Sequence, residues 1–270
     1  MADEWTFPKG QLMAGKRGLI MGVANDRSIA RGIARAAADQ GAELAFTYQG
    51  EAFGSRVRPL AGSVGSDLLM DVDVTDDASL DAAFAALAER WGRLDFLVHA
   101  IAFSNKDELT GRFTNTTRVN FARSLEISCF SFIDVARRAR PLMADGGTLL
   151  TLTYGGSNRV TPFYNVMGVA KAALESAVRY LANDLGPEGI RVNAISPGPM
   201  KTLAGAAIGG ARKTFRHTEA NAPLRANATL EAIGGTAVWL ISDWGACTTG
   251  EVVLVDGGYH VLGMPQPEHL

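Results

Sequence analysis

Short apolar runs recur along the whole chain, each followed by a longer stretch of helical pattern. The runs are "RGLIMG" (17–22), "AELAFTY" (42–48), "DLLMDVDV" (67–74), "LDFLVHA" (94–100), "GTLLTLTY" (147–154), "IRVNAIS" (190–196) and "EVVLVDG" (251–257). They are mostly apolar throughout, the pattern of strands covered on both faces. Between them lie stripes such as Leu80, Phe84, Leu87 and Trp91, spaced to share one side of a helix. Residues 229–243 repeat the pattern with Leu230, Ile233, Ala237 and Leu240, and Thr229 is placed to cap that helix.

This rhythm predicts an α/β fold, a Rossmann-like doubly wound parallel sheet of about seven strands with helices on both faces. No linker, low-complexity tract or internal repeat divides the 270 residues, so 1–270 reads as a single domain. A formal net charge of −2 without a basic run gives no sign of nucleic-acid binding. Cys129 and Cys247 have no CxxC or histidine-spaced partner, so neither a disulfide framework nor a metal site is expected. No stretch reaches the ~18 apolar residues of a membrane span. The acidic start "MADEWTFPKG" is unlike a secretory signal, and a cytoplasmic location is expected.

In a doubly wound sheet, ligands bind beyond the carboxyl ends of the strands. After the first run comes "GVANDRSIARGIA" (22–34), where Gly22 stands at a strand-to-helix turn and Ser28 is placed to cap the helix or donate to a phosphate. Gly32, one turn later, suits close helix–strand packing. An ordinary serine-capped turn explains the same residues. After the second run, Gln49 offers a neutral hydrogen bond and no cation for a 2′-phosphate, which favours NADH over NADPH. Asp73 and Val74 put a carboxylate beside a backbone amide, suited to an adenine edge or to a simple turn.

In "YNVMGVAK" (164–171), Tyr164 and Lys171 stand seven positions apart. On a helix that spacing leaves two side chains within roughly 20° of one face. A buried ring and a surface charge would satisfy it equally well.

Taken together, these stretches resemble the short-chain dehydrogenase/reductase superfamily, and within it the bacterial enoyl-acyl-carrier-protein reductases. The likeness runs nearly end to end, through "GKRGLIMGVANDRSIARGIA", "GAELAFTYQ", "LTLTY", "YNVMGVAKAALE", "GPEGIRVNAISPGPMKTLAG" and "GEVVLVDGGY". The superfamily's usual tyrosine would fall on Met167, which has no proton to donate, and its serine on Tyr154. The wider spacing from Tyr164 to Lys171 is that of the enoyl reductases.

The resemblance implies Tyr154, Tyr164 and Lys171 as catalytic residues. It implies cofactor contacts at Gly22, Ser28, Ile29, Gln49, Asp73, Val74, Ile101, Lys171, Met200, Lys201, Thr202, Leu203 and Ala204. Substrate would meet Ser104, Tyr154 and Tyr164. The cofactor would be NADH, the partner an acyl-carrier-protein-linked enoyl chain, and the assembly a homotetramer with the apolar "GYHVLGMP" ending in an interface. The Gly/Ala-rich, then basic, segment 201–217 reads as a mobile cover over the substrate, with Arg212, Lys213 and Arg216 able to meet an acidic carrier. Ala102 stands where many relatives have glycine, and 224–233 is less basic than usual. A carbonyl reductase of the same superfamily is the runner-up reading, and an idle dinucleotide-binding regulator a third.

Overall fold

In the computed structural model, residues 8–203, 205 and 210–269 are described. Seven strands form one all-parallel sheet: β1 Arg17–Met21, β2 Glu43–Tyr48, β3 Leu68–Asp71, β4 Phe96–His99, β5 Gly147–Leu152, β6 Ile190–Pro197 and β7 Val252–Val255. Their order across the sheet is β3-β2-β1-β4-β5-β6-β7. All seven expected runs are strands.

Among the described residues the α-helices are α1 Ile29–Asp39, α2 Glu51–Gly62, α3 Asp77–Trp91, α4 Arg118–Leu125, α5 Ser131–Ala139, α6 Asn165–Leu185, α7 Ala211–Asn221 and α8 Leu230–Ile241. A five-residue π-turn, Glu126–Phe130, joins α4 to α5. On one face of the sheet, α3, α5 and α6 bury Leu80, Leu87, Phe132, Leu174 and Val178 against Leu19, Leu97 and Leu149. On the other, α1, α2 and α8 bury Ile33, Val57 and Ile233 against Ile20, Val98 and Leu150. Neighbouring strand residues thus serve opposite layers, as the two-residue period of a strand requires. The stripe expected at 80–91 is buried throughout. Each large aliphatic side chain there contributes roughly 1.5–3 kcal/mol relative to exposure.

Helix starts follow local chemistry. Asp76 caps α3 by accepting from the Ala78 amide, and Thr229 caps α8 by accepting from Ala232. Ser28 occupies the cap position of α1, but its hydroxyl makes no cap bond. It turns back to accept from the amides of Ala24 and Asn25, both at 3.0 Å. The extra residues before α1 leave those amides without helical partners, and the serine satisfies them. Gly32 also serves a different neighbour from the one expected. A Cβ there would lie 3.1 Å from that of Leu230, so the glycine lets two helices, α1 and α8, pack closely.

The strand order reverses between β1 and β4, and there the sheet must open a crevice. Gly22 forms its floor. Its φ is +95°, and a Cβ would stand 2.1 Å from the Ala100 carbonyl oxygen at the exit of β4. No other residue fits that turn.

Candidate active site

Two groups of residues meet at the carboxyl edge of the sheet. The first lies around the exits of β1, β2 and β3. Gln49 Nε2 donates to Asp73 Oδ2 at 2.8 Å, bringing together two residues 24 positions apart. Asp73 Oδ1 closes a turn by accepting from both the amide and the hydroxyl of Thr75. Those bonds, the Thr75 amide foremost, hold the Asp73 carboxyl below its usual range. The acid therefore serves the turn with one oxygen and the Gln49 amide with the other. Val74 and Ile101 pack partly buried against the core. The first turn of α1 carries no acid, whereas those of α2, α3 and α8 carry Glu51, Asp77 and Glu231. With no acid in its first turn and no side-chain cap bond, the start of α1 can turn its amide dipoles toward an anion.

The second group surrounds α6. Tyr164 is the residue before the helix rather than its first member, with φ −113° and ψ −27°. It is flanked by Phe163 at φ +63° and Asn165 at φ +34°, two non-glycine residues in left-handed backbone. The picture of Tyr164 and Lys171 along one continuous helix therefore needs correcting at its first residue. Backbone strain of this kind concentrates where surroundings over-determine a side chain. Here Asn165 Nδ2 donates to the Glu108 carbonyl at 3.0 Å, anchoring the turn. The Tyr164 ring lies over Gly156, where a Cβ would be 2.4 Å from ring carbon Cδ1. Gly168 lets α6 approach that seat, since its Cβ would be 2.7 Å from the Gly156 carbonyl oxygen.

Tyr154 packs edge-on against Tyr164, and both join a small apolar cluster with Leu109, Val166 and Met167. Among the described residues, no hydrogen bond engages the Tyr164 hydroxyl. Burial raises the Tyr164 phenol above its ordinary value, and that of Tyr154 likewise. Both rings are thus neutral donors near pH 7.

Lys171 is 6% exposed, and its Nζ donates to the Leu152 carbonyl at 2.8 Å, just before Tyr154. Burial lowers its pKa to about 8. Beneath it, His99 is fully buried between Thr151 and Ser131, at 3.2 and 2.8 Å. Desolvation first, and Lys171 second, lower the His99 pKa to about 3, so the imidazole is neutral.

Ser104 stands across the cleft loop, its hydroxyl 3.3 Å from Asn120 Oδ1, and Ala102 beside it is exposed. Asn120 also accepts from the Asn105 amide, so α4 holds this loop in place. In the loop after β6, Met200 is partly buried while Lys201 and Leu203 are exposed. Thr202 Oγ1 accepts from the Gly205 amide at 2.9 Å. Lys201 Nζ lies 4.5 Å from the centre of the Phe215 ring. Ala204, expected at the cofactor, lies outside the described residues, as do 206–209 of the expected cover. Residues 211–217 of that segment begin α7, where Arg212, Lys213 and Arg216 are exposed.

Several residues of the site went unread in the sequence: Gly156, Gly168, Asn120, Thr153 and Glu175. A glycine pair twelve positions apart and a lone acid on the α6 face of Lys171 were the available signals.

A crevice at the β1/β4 reversal, an open helix start beside it, and a tyrosine and lysine at the β5–α6 junction define an oxidoreductase of the short-chain dehydrogenase/reductase class. The family model described as "Enoyl-(Acyl carrier protein) reductase" matches residues 22–260. The chain belongs to that family. Enoyl-[acyl-carrier-protein] reductase [NADH] 2 of Rhizobium meliloti (strain 1021) is 61% identical over 96% of this chain and 97% of its own. Reductase [NADH] 1 of the same strain is 59% identical over 94% and 93%. The crystal structure of the Anaplasma phagocytophilum enzyme in complex with NAD superposes with a TM-score of 0.93. It shares 54% identity and covers 97% of this chain and all of its own.

Proposed function

We propose that this protein reduces trans-2-enoyl thioesters, carried on acyl-carrier protein, to saturated acyl thioesters with NADH, in fatty-acid synthesis. The observation that carries the reading is Tyr164, a buried phenol seated on Gly156 with its hydroxyl uncommitted, beside a lysine whose ammonium is fixed at the same strand exit. Relatives named as NADH enzymes of this activity support it at 61% and 59% identity.

The cofactor fits the residues present. The open start of α1 suits a pyrophosphate, with Ile29 in its first turn and Ser28 able to rotate toward a phosphate oxygen. Gln49, Asp73 and Val74 would meet the adenosine end, with no cation asked to hold a 2′-phosphate. Ile101 would flank the nicotinamide, and Met200, Lys201, Thr202, Leu203 and Ala204 would close over its carboxamide and the pyrophosphate. Bound NADH would supply a hydride to C3 of the alkene, and the enolate so formed would take a proton from solvent at C2 to give the saturated thioester. Lys171 has two further donors for the nicotinamide ribose, and its charge favours an anion growing nearby.

Tyr164 donates its hydroxyl to the thioester oxygen. Negative charge develops there as C3 is reduced, so the bond is stronger in the transition state than in the ground state. Tyr154 and Ser104 orient the acyl chain beside it. Hydride arrives at the far carbon of the alkene, two bonds from the carbonyl carbon that a carbonyl reductase would attack, which is in keeping with a donor farther along the chain from Lys171 than in carbonyl reduction. At that nearer position stands Met167, buried in the apolar cluster and without a proton to give.

Exposed Val261 and Met264, in the apolar ending, support assembly as a homotetramer. No described helix is long and apolar enough to cross a membrane. The segment 201–217 would act as the cover, and α7 as the carrier-docking face.

The test is to follow nicotinamide absorbance with NADH and crotonyl thioester, and in parallel with acetoacetyl thioester. Oxidation with the enoyl compound alone is expected. Oxidation with the ketone alone would assign a carbonyl reductase, and binding without turnover an idle regulator.

A further inference from the structure

Three consecutive residues at the exit of β5 are tied to α6. The Leu152 carbonyl accepts from Lys171 Nζ at 2.8 Å. The Thr153 hydroxyl donates to Glu175 Oε1 at 2.6 Å. The Tyr154 ring packs on that of Tyr164. The outer two ties involve the residues assigned to chemistry, and the middle one has no role so far. Thr153 is 3% exposed, and its amide donates to the Ile195 carbonyl of β6 at 2.9 Å, so the sheet fixes where its hydroxyl can point. Glu175 is half-buried, one helical turn beyond Lys171 on the same face of α6.

We propose that Glu175 is a positioning residue of the reductase: through Thr153 it fixes α6, and with it Tyr164 and Lys171, against the β5 exit, and it sets a carboxylate one helical turn from the Lys171 side chain.

The choice of a carboxylate carries the second half of the proposal. An amide or hydroxyl could accept the Thr153 proton, yet neither would bring a negative charge to this place. Lys171 is faced by Cys129 from the π-turn, by His99 from β4 and by Glu175 from its own helix. The Cys129 thiol is pushed up by burial and the His99 imidazole is held neutral, so neither is charged near pH 7. Of the three, Glu175 supplies the counter-charge. It opposes the desolvation that drives Lys171 toward the neutral amine, and it also disfavours ionisation of Tyr164. A hydrogen bond to a carboxylate is about twice as strong as a neutral one. A displacement of ~1 Å at a catalytic group can cost ~10²-fold in rate, so the tie is worth keeping rigid.

The inference rests on the reductase reading, and the experiment keeps the two apart. Glu175→Gln preserves an acceptor for Thr153 and removes only the charge. Thr153→Val breaks the tie and leaves the charge, and Glu175→Ala removes both. NADH affinity is measured by fluorescence from pH 6 to pH 10 on each protein, a reading that needs no turnover. Turnover of crotonyl thioester follows over the same range, and thermal unfolding shows that each variant folds.

For Glu175→Gln, the alkaline midpoint of NADH binding should move down by at least about half a pH unit, and kcat at low pH should fall less than in Thr153→Val, because a weaker acceptor for Thr153 remains. For Thr153→Val, kcat should fall about tenfold or more with the midpoint unmoved. Glu175→Ala should show both effects. A Glu175→Gln binding profile superimposable on wild type overturns the proposal, as does full kcat in Thr153→Val. A wild-type protein that binds NADH but leaves the enoyl thioester untouched would instead sink the reductase reading.

Discussion

Tyr154 meets Tyr164 edge-on, their ring centroids 5.1 Å apart and their planes inclined at 66°. The contact holds the Tyr164 ring without using its hydroxyl, which leaves the phenol uncommitted, as its proposed role requires. Tyr164→Phe keeps the ring and removes the donor. Steady-state turnover of crotonyl thioester should fall by ~10²–10³-fold, while NADH affinity stays within about twofold of wild type. Unchanged turnover would remove Tyr164 from the mechanism.

The titration of Lys171 sets a pH limit. Its folded pKa, about 8, is below the ordinary value of 10.5. NADH affinity should therefore weaken as pH rises through 8, and Lys171→Ala should bind NADH poorly at every pH. The sign for stability is opposite. Between 8 and 10.5 the unfolded chain binds this proton and the folded one does not, so this group makes the cofactor-free protein more stable as pH rises through that window. Calorimetry of wild type against Lys171→Met would isolate the effect.

Gly156 tests whether the seat of the phenol matters. An added Cβ would meet the Tyr164 ring at 2.4 Å, and the ring must shift. Gly156→Ala should lower kcat by about tenfold or more while NADH affinity stays near wild type. Wild-type kcat would mean that the ring's position is not critical.

Carrier docking predicts a split between substrates. Reversing Arg212, Lys213 and Arg216 to glutamate should lower kcat/KM for carrier-linked enoyl substrate by about tenfold or more, with strong salt dependence, and leave a short thioester nearly unaffected. Equal losses on both substrates would refute docking at α7.

Much of this molecule was legible before any coordinates. Leu19, Ile20 and Met21 are apolar at consecutive positions because helices cover both sides of a parallel sheet, and runs of this kind let the seven strands and their order of appearance be read directly. Asp76 and Thr229 show caps where sequence chemistry and backbone agree. Ser28 shows the limit, since its hydroxyl satisfies two loop amides that a residue pattern cannot count. The same holds for the catalytic end. A seven-residue spacing suggested one helix face, but left-handed backbone at Phe163 and Asn165 places Tyr164 ahead of the helix. Thr153 and Glu175 are 22 positions apart, and the packing of α6 back against the exit of β5 brings them together.

The bent backbone around Tyr164 bears on how this enzyme can be improved. Left-handed geometry at Phe163 and Asn165 costs of order 1–3 kcal/mol each, and glycine at either place would relieve it. Selection for heat tolerance alone would favour those replacements, yet losing the Asn165 side chain also cuts its mooring to Glu108 and slackens the turn that aims the phenol. Directed evolution here has to score turnover alongside melting temperature, because at this bend toughness and catalytic aim pull apart.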